Sequence, residues 1–149
     1  MKKILIFIMF FISSCGYQPI YLSNNLKSIE FYKINSSGDS EINNQILNSL
    51  SLKENSENDK LQELFLSSYY KIDEISKNSK GQTETYRTSI SVDLKITENK
   101  NIIKNKILSD NFTYNKKDNK FELTEYQTSI KNQLTNGIIE DLILFLNME

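Results

Sequence analysis

The sequence predicts an α+β fold: a two-layer sandwich in which a four-stranded, mainly antiparallel sheet is covered by two helices, in the order β-α-β-β-β-α. Three observations predict it. In YRTSISVDLKI, Tyr86, Thr88, Ile90, Val92, Leu94 and Ile96 alternate strictly with Arg87, Ser89, Ser91, Asp93 and Lys95, the period of a strand buried on one face and wet on the other. Near the C-terminus, Leu123, Tyr126, Ile130, Leu134, Ile138, Leu142 and Leu146 recur every three or four residues, the period of one helical face. Ile42, Ile46, Leu47 and Leu50 repeat that helical spacing earlier in the chain. Because the alternating strand is apolar on one side only, both helices must cover that side.

The elements follow in order. LKSIEFYKIN, residues 26–35, is rich in β-branched and aromatic residues and ends at the turn cluster Ser36-Ser37-Gly38-Asp39, which makes it the first strand. The first helix starts at Ser40, with Asp39 or Ser40 as its cap. SLKENSENDK, residues 51–60, is polar and aperiodic and reads as a loop. Leu64, Leu66, Tyr70 and Ile72 then alternate with Phe65, Tyr69, Lys71 and Asp73 in a second strand carrying aromatics on both faces. Asn78-Ser79-Lys80-Gly81 turns into the alternating strand, and Glu98-Asn99-Lys100-Asn101 turns out of it.

The return strand, residues 102–114, changes parity between Ile107 and Leu108, where the pattern predicts a bulge. Polar residues 115–120 lead to the last helix, for which Thr124-Glu125-Tyr126-Gln127 has the form of a capping box. Gly137 inside that helix reads as a point of close packing on the sheet.

Ahead of this domain stands a targeting segment. Lys2 and Lys3 supply positive charge, Ile4–Ile12 is uninterruptedly apolar, and Ser13-Ser14 are small, the order of a secretory signal. As a helix the apolar run rises about 14 Å, roughly half of a bilayer's hydrocarbon core, too short for a permanent span. Ile12-Ser13-Ser14-Cys15 resembles a bacterial lipobox, and Cys15 is the only cysteine in 149 residues. The resemblance implies that its thiol takes a diacylglyceryl group before cleavage leaves Cys15 as the new N-terminus. Several acyl chains make a stable anchor where one is marginal, so the protein is expected to be held at a membrane by its N-terminal lipid. Gly16, standing where Asp would retain the protein at the inner membrane, favours the outer membrane. The expected organisation is a lipoprotein signal peptide over 1–14, a lipidated tether over 15–25 and one α+β domain over 26–149.

Composition narrows the chemistry. Histidine is absent, which removes the commonest general base and metal ligand. One cysteine allows neither an intrachain disulfide nor a zinc cluster. Of 18 basic residues two lie in the targeting segment, leaving 16 against 19 acidic ones and a net charge of about −3 for the remainder, spread without blocks; no nucleic-acid partner is expected. With four glycines there is no phosphate-cradling loop. The carboxylate neighbours Asp73-Glu74 and Glu140-Asp141 point apart on a strand or helix, so a glycosidase-like dyad is not expected. The expectation is a protein without enzymatic activity, cofactor or metal. Two groups remain as binding candidates: Lys77, Lys80, Lys116, Lys117 and Lys120 on loops, as point charges for the phosphates of a lipid headgroup, and Tyr69, Arg87 and Ser89 on the polar strand face, as a docking surface.

Cys15-Gly16-Tyr17-Gln18-Pro19-Ile20-Tyr21 resembles the Cys-Gly-aromatic-Gln-Pro-Leu-Tyr start of mature LPS-assembly lipoproteins, the LptE family, in particular its alphaproteobacterial type. The strand Tyr86-Arg87-x-Ser89-Ile90-Ser91-Val92, the return strand ending at Phe112-x-Tyr114, and a long last helix with Tyr126, Ile130 and Ile138 are similar to that family in texture. The resemblance implies an outer-membrane lipoprotein, anchored at the periplasmic side, that plugs the lumen of the LptD β-barrel, assists its assembly and binds lipopolysaccharide on its way to the outer leaflet. Family helices are usually rich in Ala and Arg, whereas this last helix carries Asn, Thr, Ile and Lys, so no headgroup role carries over to a particular basic residue. The alternative is a stand-alone envelope lipoprotein that binds a lipid or small ligand.

Overall fold

A computed structural model describes residues 28–58 and 60–147; the signal peptide, the tether and Cys15 lie outside the described residues. The elements are β1 Ile29–Phe31, β2 Lys33–Gly38, α1 Ser40–Ser49, β3 Leu52–Glu54, β4 Glu63–Lys77, β5 Thr83–Glu98, β6 Asn101–Asn115 and α2 Lys120–Asn147. The main sheet has the order β2-β4-β5-β6, with β2 parallel to β4 and the remaining pairs an antiparallel meander. Helix α1 lies over β2 and β4, and α2 over β5 and β6. The architecture is therefore the α+β two-layer sandwich that the alternation of β5 requires.

Between the layers sit the residues that the two periods select. Leu64 and Leu66 of β4, Ile90, Val92, Leu94 and Ile96 of β5, Ile42 and Ile46 of α1, and Ile130, Ile138 and Leu142 of α2 are all buried. Thr88, also buried on this face, donates its hydroxyl to the Tyr114 hydroxyl at 3.2 Å. Asp39 is the cap of α1: its carboxylate accepts the Glu41 and Ile42 backbone N–H groups, both at 3.0 Å. Asn99 and Lys100, both at positive φ, form the two-residue β5–β6 hairpin, a backbone twist matched to that of the flanking strands.

Five expectations need correction. The first strand is two, because the chain changes sheets at Tyr32; β1 pairs with β3, and β2 continues through Ser36 and Ser37 to Gly38, residues whose composition reads as turn. β3 itself lies inside the polar run read as a loop, anchored by Leu52, buried beside Phe31 at the end of the core. Helix α2 begins at Lys120 rather than at Thr124. Asn119 accepts the Phe121 N–H at 2.8 Å, and the Thr124 hydroxyl donates back to the Lys120 carbonyl instead of capping.

The bulge, finally, is not at Ile107. Pairing runs unbroken through Asp93↔Ile107 and Val92↔Leu108 and slips only between Ile96↔Lys104 and Thr97↔Ile102, leaving Ile103 extra. The parity of β6 changes for a different reason. On the helix-covered side its register positions carry Lys104, Lys106 and Asp110 opposite Ile96, Leu94 and Ile90. β6 is the long edge strand, and inward-pointing charges on an edge oppose pairing with a second sheet.

Gly137 is not a point of close packing either. A Cβ placed there would meet nothing outside its own helix nearer than Asp110 Oδ2 at 4.0 Å. Gly137→Ala is therefore expected to raise stability by about 0.5–1 kcal/mol, the helix propensity difference. Urea unfolding of the two proteins checks this; an equal or lower midpoint would show that the contact is tighter than it looks.

Candidate functional site

The five candidate lysines are scattered in sequence, and the strand register gathers them. β4 ends at Lys77 opposite Thr83, the β4–β5 turn holds Lys80, Thr85 at the start of β5 pairs with Asn115 at the end of β6, and α2 starts at Lys120. All five stand at one end of the sheet. At about 3.3 Å per residue β4 is about 45–50 Å long, and β1, where the described chain begins, lies by the other end, since β2 follows it directly and starts at Lys33 opposite Glu63.

The lysine end is mixed in charge. Lys77 is paired with Glu74 at 3.3 Å. Lys117 lies over the ring of Tyr126 at 4.9 Å, and Tyr126 meets Tyr114 edge-on, which in turn stacks on Tyr86. Lys116 shares a groove of about 430 Å³ with Glu84 and Asp118. Beside Lys120, Phe121 is exposed. Among the described residues no carboxylate comes within 4.0 Å of the ammonium groups of Lys80, Lys116, Lys117 or Lys120, so these four can receive an anion without breaking an ion pair.

The second candidate is the sheet face away from the helices. Tyr69, Arg87 and Ser89 all lie on it, since Tyr69 pairs with Ser91, Lys71 with Ser89 and Asp73 with Arg87. Arg87 and Tyr69 are two register steps apart rather than in contact. The Arg87 Nε–H donates to the Thr113 hydroxyl at 3.2 Å, Lys71 pairs with Asp73 at 2.6 Å, and Ser109 donates to Ser91 at 3.0 Å. Among the described residues no helix covers this face, and Phe65, Tyr69 and Ile107 on it are exposed at 39, 60 and 63 %. An open polar face studded with large apolar side chains has the composition of a docking surface. Asp73 and Glu74 stand on opposite faces of β4, each with a lysine partner, as alternation requires.

Sequence reasoning missed one ionic cluster. Lys131 of α2 reaches Asp39 Oδ2 at 3.0 Å and Glu41 Oε2 at 2.6 Å, with its ammonium 4.8 Å from the centre of the Tyr70 ring. Burial pushes the Asp39 carboxyl up, but the Ile42 N–H, Lys131 and the Glu41 N–H outweigh that and hold it below the usual carboxylate range. Burial likewise disfavours the Lys131 cation, but Glu41 and Asp39 raise it above the ordinary lysine value. Burial raises the Tyr70 hydroxyl, which stays protonated beside them. The cluster joins the start of α1 to the middle of α2 and holds the helical layer together. Only the tertiary fold makes it visible, because its members are about ninety residues apart. No group of residues that could hold a metal occurs among the described residues.

No family model matches the sequence, and no curated protein matches it. Solved structures do. Rare lipoprotein B from Shewanella oneidensis superposes with a TM-score of 0.58 at 9 % identity, over 76 % of this chain and 92 % of that one. A minor lipoprotein from Acinetobacter baumannii gives 0.51 at 12 % identity, over 78 % and 90 %. A lipoprotein B from Nitrosomonas europaea gives 0.50 at 7 % identity, over 84 % and 88 %. At such identities what is shared is the fold.

Proposed function

We propose that this chain is a lipid-anchored outer-membrane lipoprotein whose α+β domain plugs the lumen of the LptD β-barrel, assists its assembly and serves the insertion of lipopolysaccharide into the outer leaflet. The observation that carries this reading is the joining of one motif to one fold. The start Cys15-Gly16-Tyr17-Gln18-Pro19, with its lipobox, precedes a domain whose whole architecture is similar to solved lipoproteins. The geometry supports it further. The described chain begins at the end of the sheet remote from the lysines, so a domain tethered by Cys15 has the length to carry Lys80, Lys116, Lys117 and Lys120 away from its anchor and toward headgroup phosphates. Its second sheet face, which none of the described helices covers, offers a surface to a barrel wall.

Depletion of the chain from cells tests the reading. Surface lipopolysaccharide should fall severalfold while lipopolysaccharide accumulates behind the outer membrane, as measured by its accessibility to an external label. Unchanged surface labelling after full depletion would reject the role.

A further inference from the structure

Between β6 and α2 opens a groove of about 730 Å³, bordered on the strand side by Asp110, Asn111 and Phe112 and on the helix side by Gln133, Gly137 and Glu140. β6 is an edge of the main sheet, and among the described residues no further strand pairs with it, so its outward main-chain groups are a template on which one can form. The Asn111 N–H donates to Asp110 Oδ1 at 2.7 Å, a main-chain donor met at this point by the strand's own side chain. Gly137 is the odd residue of the groove. Glycine weakens a helix interior, and no packing accounts for it here, because a Cβ would meet nothing nearer than Asp110 Oδ2 at 4.0 Å. Its effect is to leave the helix wall bare where it faces Asp110, and a bare wall lets another backbone come close.

The charge of the groove says what kind of segment fits. Asp110 and Glu140 are both exposed, and among the described residues no lysine or arginine comes within 4.0 Å of either carboxylate. The exposed ring of Phe112 borders the same space. A guanidinium or ammonium entering from solvent fits there twice over: it donates to the carboxylates and lies against the ring. Farther along the same side of β6 stands Lys106, of opposite sign. A segment in the wrong register would bring its basic side chain against Lys106, so the charges choose the register as well as the partner. Inward charges on an edge turn away unmatched strands, and by the same rule of signs they admit a matched one.

We infer that the β6 edge and the facing wall of α2 form a binding groove for an extended segment of a partner protein, which adds as a strand to β6 and sets an arginine or lysine at Asp110 and Glu140. Main-chain bonds to β6 supply the affinity, and the carboxylates supply the selection. Gly137 is then a position where helix stability is given up for access. The inference holds whichever protein supplies the segment, so its failure would leave the barrel reading standing.

The test uses the full-length lipoprotein in intact cells, with a photocrosslinking amino acid placed in turn at Phe112 on the strand side and Gln133 on the helix side. Both positions should give an adduct with the same peptide of a second polypeptide, and that peptide, sequenced by mass spectrometry, should contain an arginine or lysine. Asp110→Lys should lower adduct yield at least about tenfold, and changing the partner's basic residue to Asp should restore it. That restoration separates lost recognition from a chain that fails to fold, because a misfolded chain would not be rescued. Gly137→Leu, which puts a side chain into the groove, should lower the yield severalfold while its urea midpoint stays at or above that of the wild type. No adduct, different peptides from the two positions, an adduct only with a second copy of this chain, a partner peptide without a basic residue, or a yield indifferent to Asp110→Lys or to a folded Gly137→Leu protein would each overturn the inference.

Discussion

Gly38→Ala is expected to destabilise the domain by about 3–5 kcal/mol, a large share of the stability of a domain this size. Gly38 ends β2 beside Ser68 of β4 with φ +88°, a region that costs an L-residue about 1–2 kcal/mol. The larger part is contact. A Cβ at this position would stand 1.8 Å from the Ser68 carbonyl oxygen and 2.8 Å from its carbon, both backbone atoms of a strand paired on its two sides. Nothing flexible can yield there. Ser68 is itself fixed: it is buried, its carbonyl accepts the Asp39 N–H at 3.2 Å, and its hydroxyl donates to the Asp39 carbonyl at 3.0 Å. Relief requires pulling β2 from β4, which tilts the cap of α1 with it, a cost comparable to overpacking a core. At roughly 3–5 °C per kcal/mol, the thermal midpoint should fall by about 10–20 °C. Gly81→Ala is the control. Gly81 has φ +75° with no atom within 4 Å, so it should lose only the conformational 1–2 kcal/mol or so. Equal losses at the two sites would show that the Ser68 contact does not matter.

Lys131→Met should cost about 2 kcal/mol. Removing one member of a buried pair costs about 3–5 kcal/mol where the remaining charge is fully enclosed. Here the Asp39 side chain keeps 22 % exposure and its two N–H donors, so the lower figure applies. The exposed Glu41 adds little. The pH dependence identifies the mechanism. The Asp39 carboxyl is lowered in the fold, so its stabilising contribution is present above its unfolded pKa of about 4 and is lost as pH falls through the folded value. The Lys131 ammonium is raised, so its contribution is complete below about pH 10 and is lost as pH rises through the folded value. The stability difference between wild type and Lys131→Met should therefore hold across neutral pH and shrink from about pH 4 downward. Asp39→Asn retains a good helix cap without the charge, and in a double-mutant cycle it should account for most of the Lys131 effect. Additive losses would mean that Lys131 acts through its methylenes against Tyr70 rather than through its charge.

What the sequence made legible was what a single element can encode. Alternation placed Ile90, Val92, Leu94 and Ile96 in the core and Arg87, Ser89 and Asp93 on the open face, because strand geometry permits no other division. Helical spacing located Ile42 and Ile46, and Asp39 was readable as their cap. Properties shared between elements were not readable. β3 is held by a single buried leucine in a polar run, a signal too weak without its partner β1. The parity of β6 suggested a bulge because the protection of an edge strand by inward charges looks, in one dimension, like a slipped register. The same limit governs the sites. The lysines could be named but not assembled, since their proximity depends on the β4–β5 and β5–β6 registers. Gly137 stands out in the sequence as a helix glycine. Only the packing of α2 beside β6 shows that it opens on a groove shared with Asp110 rather than on a close contact.

Copurification tests whether the domain sits inside a barrel. The affinity-tagged full-length chain, extracted from membranes in mild detergent and weighed by native mass spectrometry, should emerge as a one-to-one complex with a large outer-membrane β-barrel. Recovery of the lipoprotein alone, from membranes in which the barrel itself is intact and soluble in the same detergent, would contradict it.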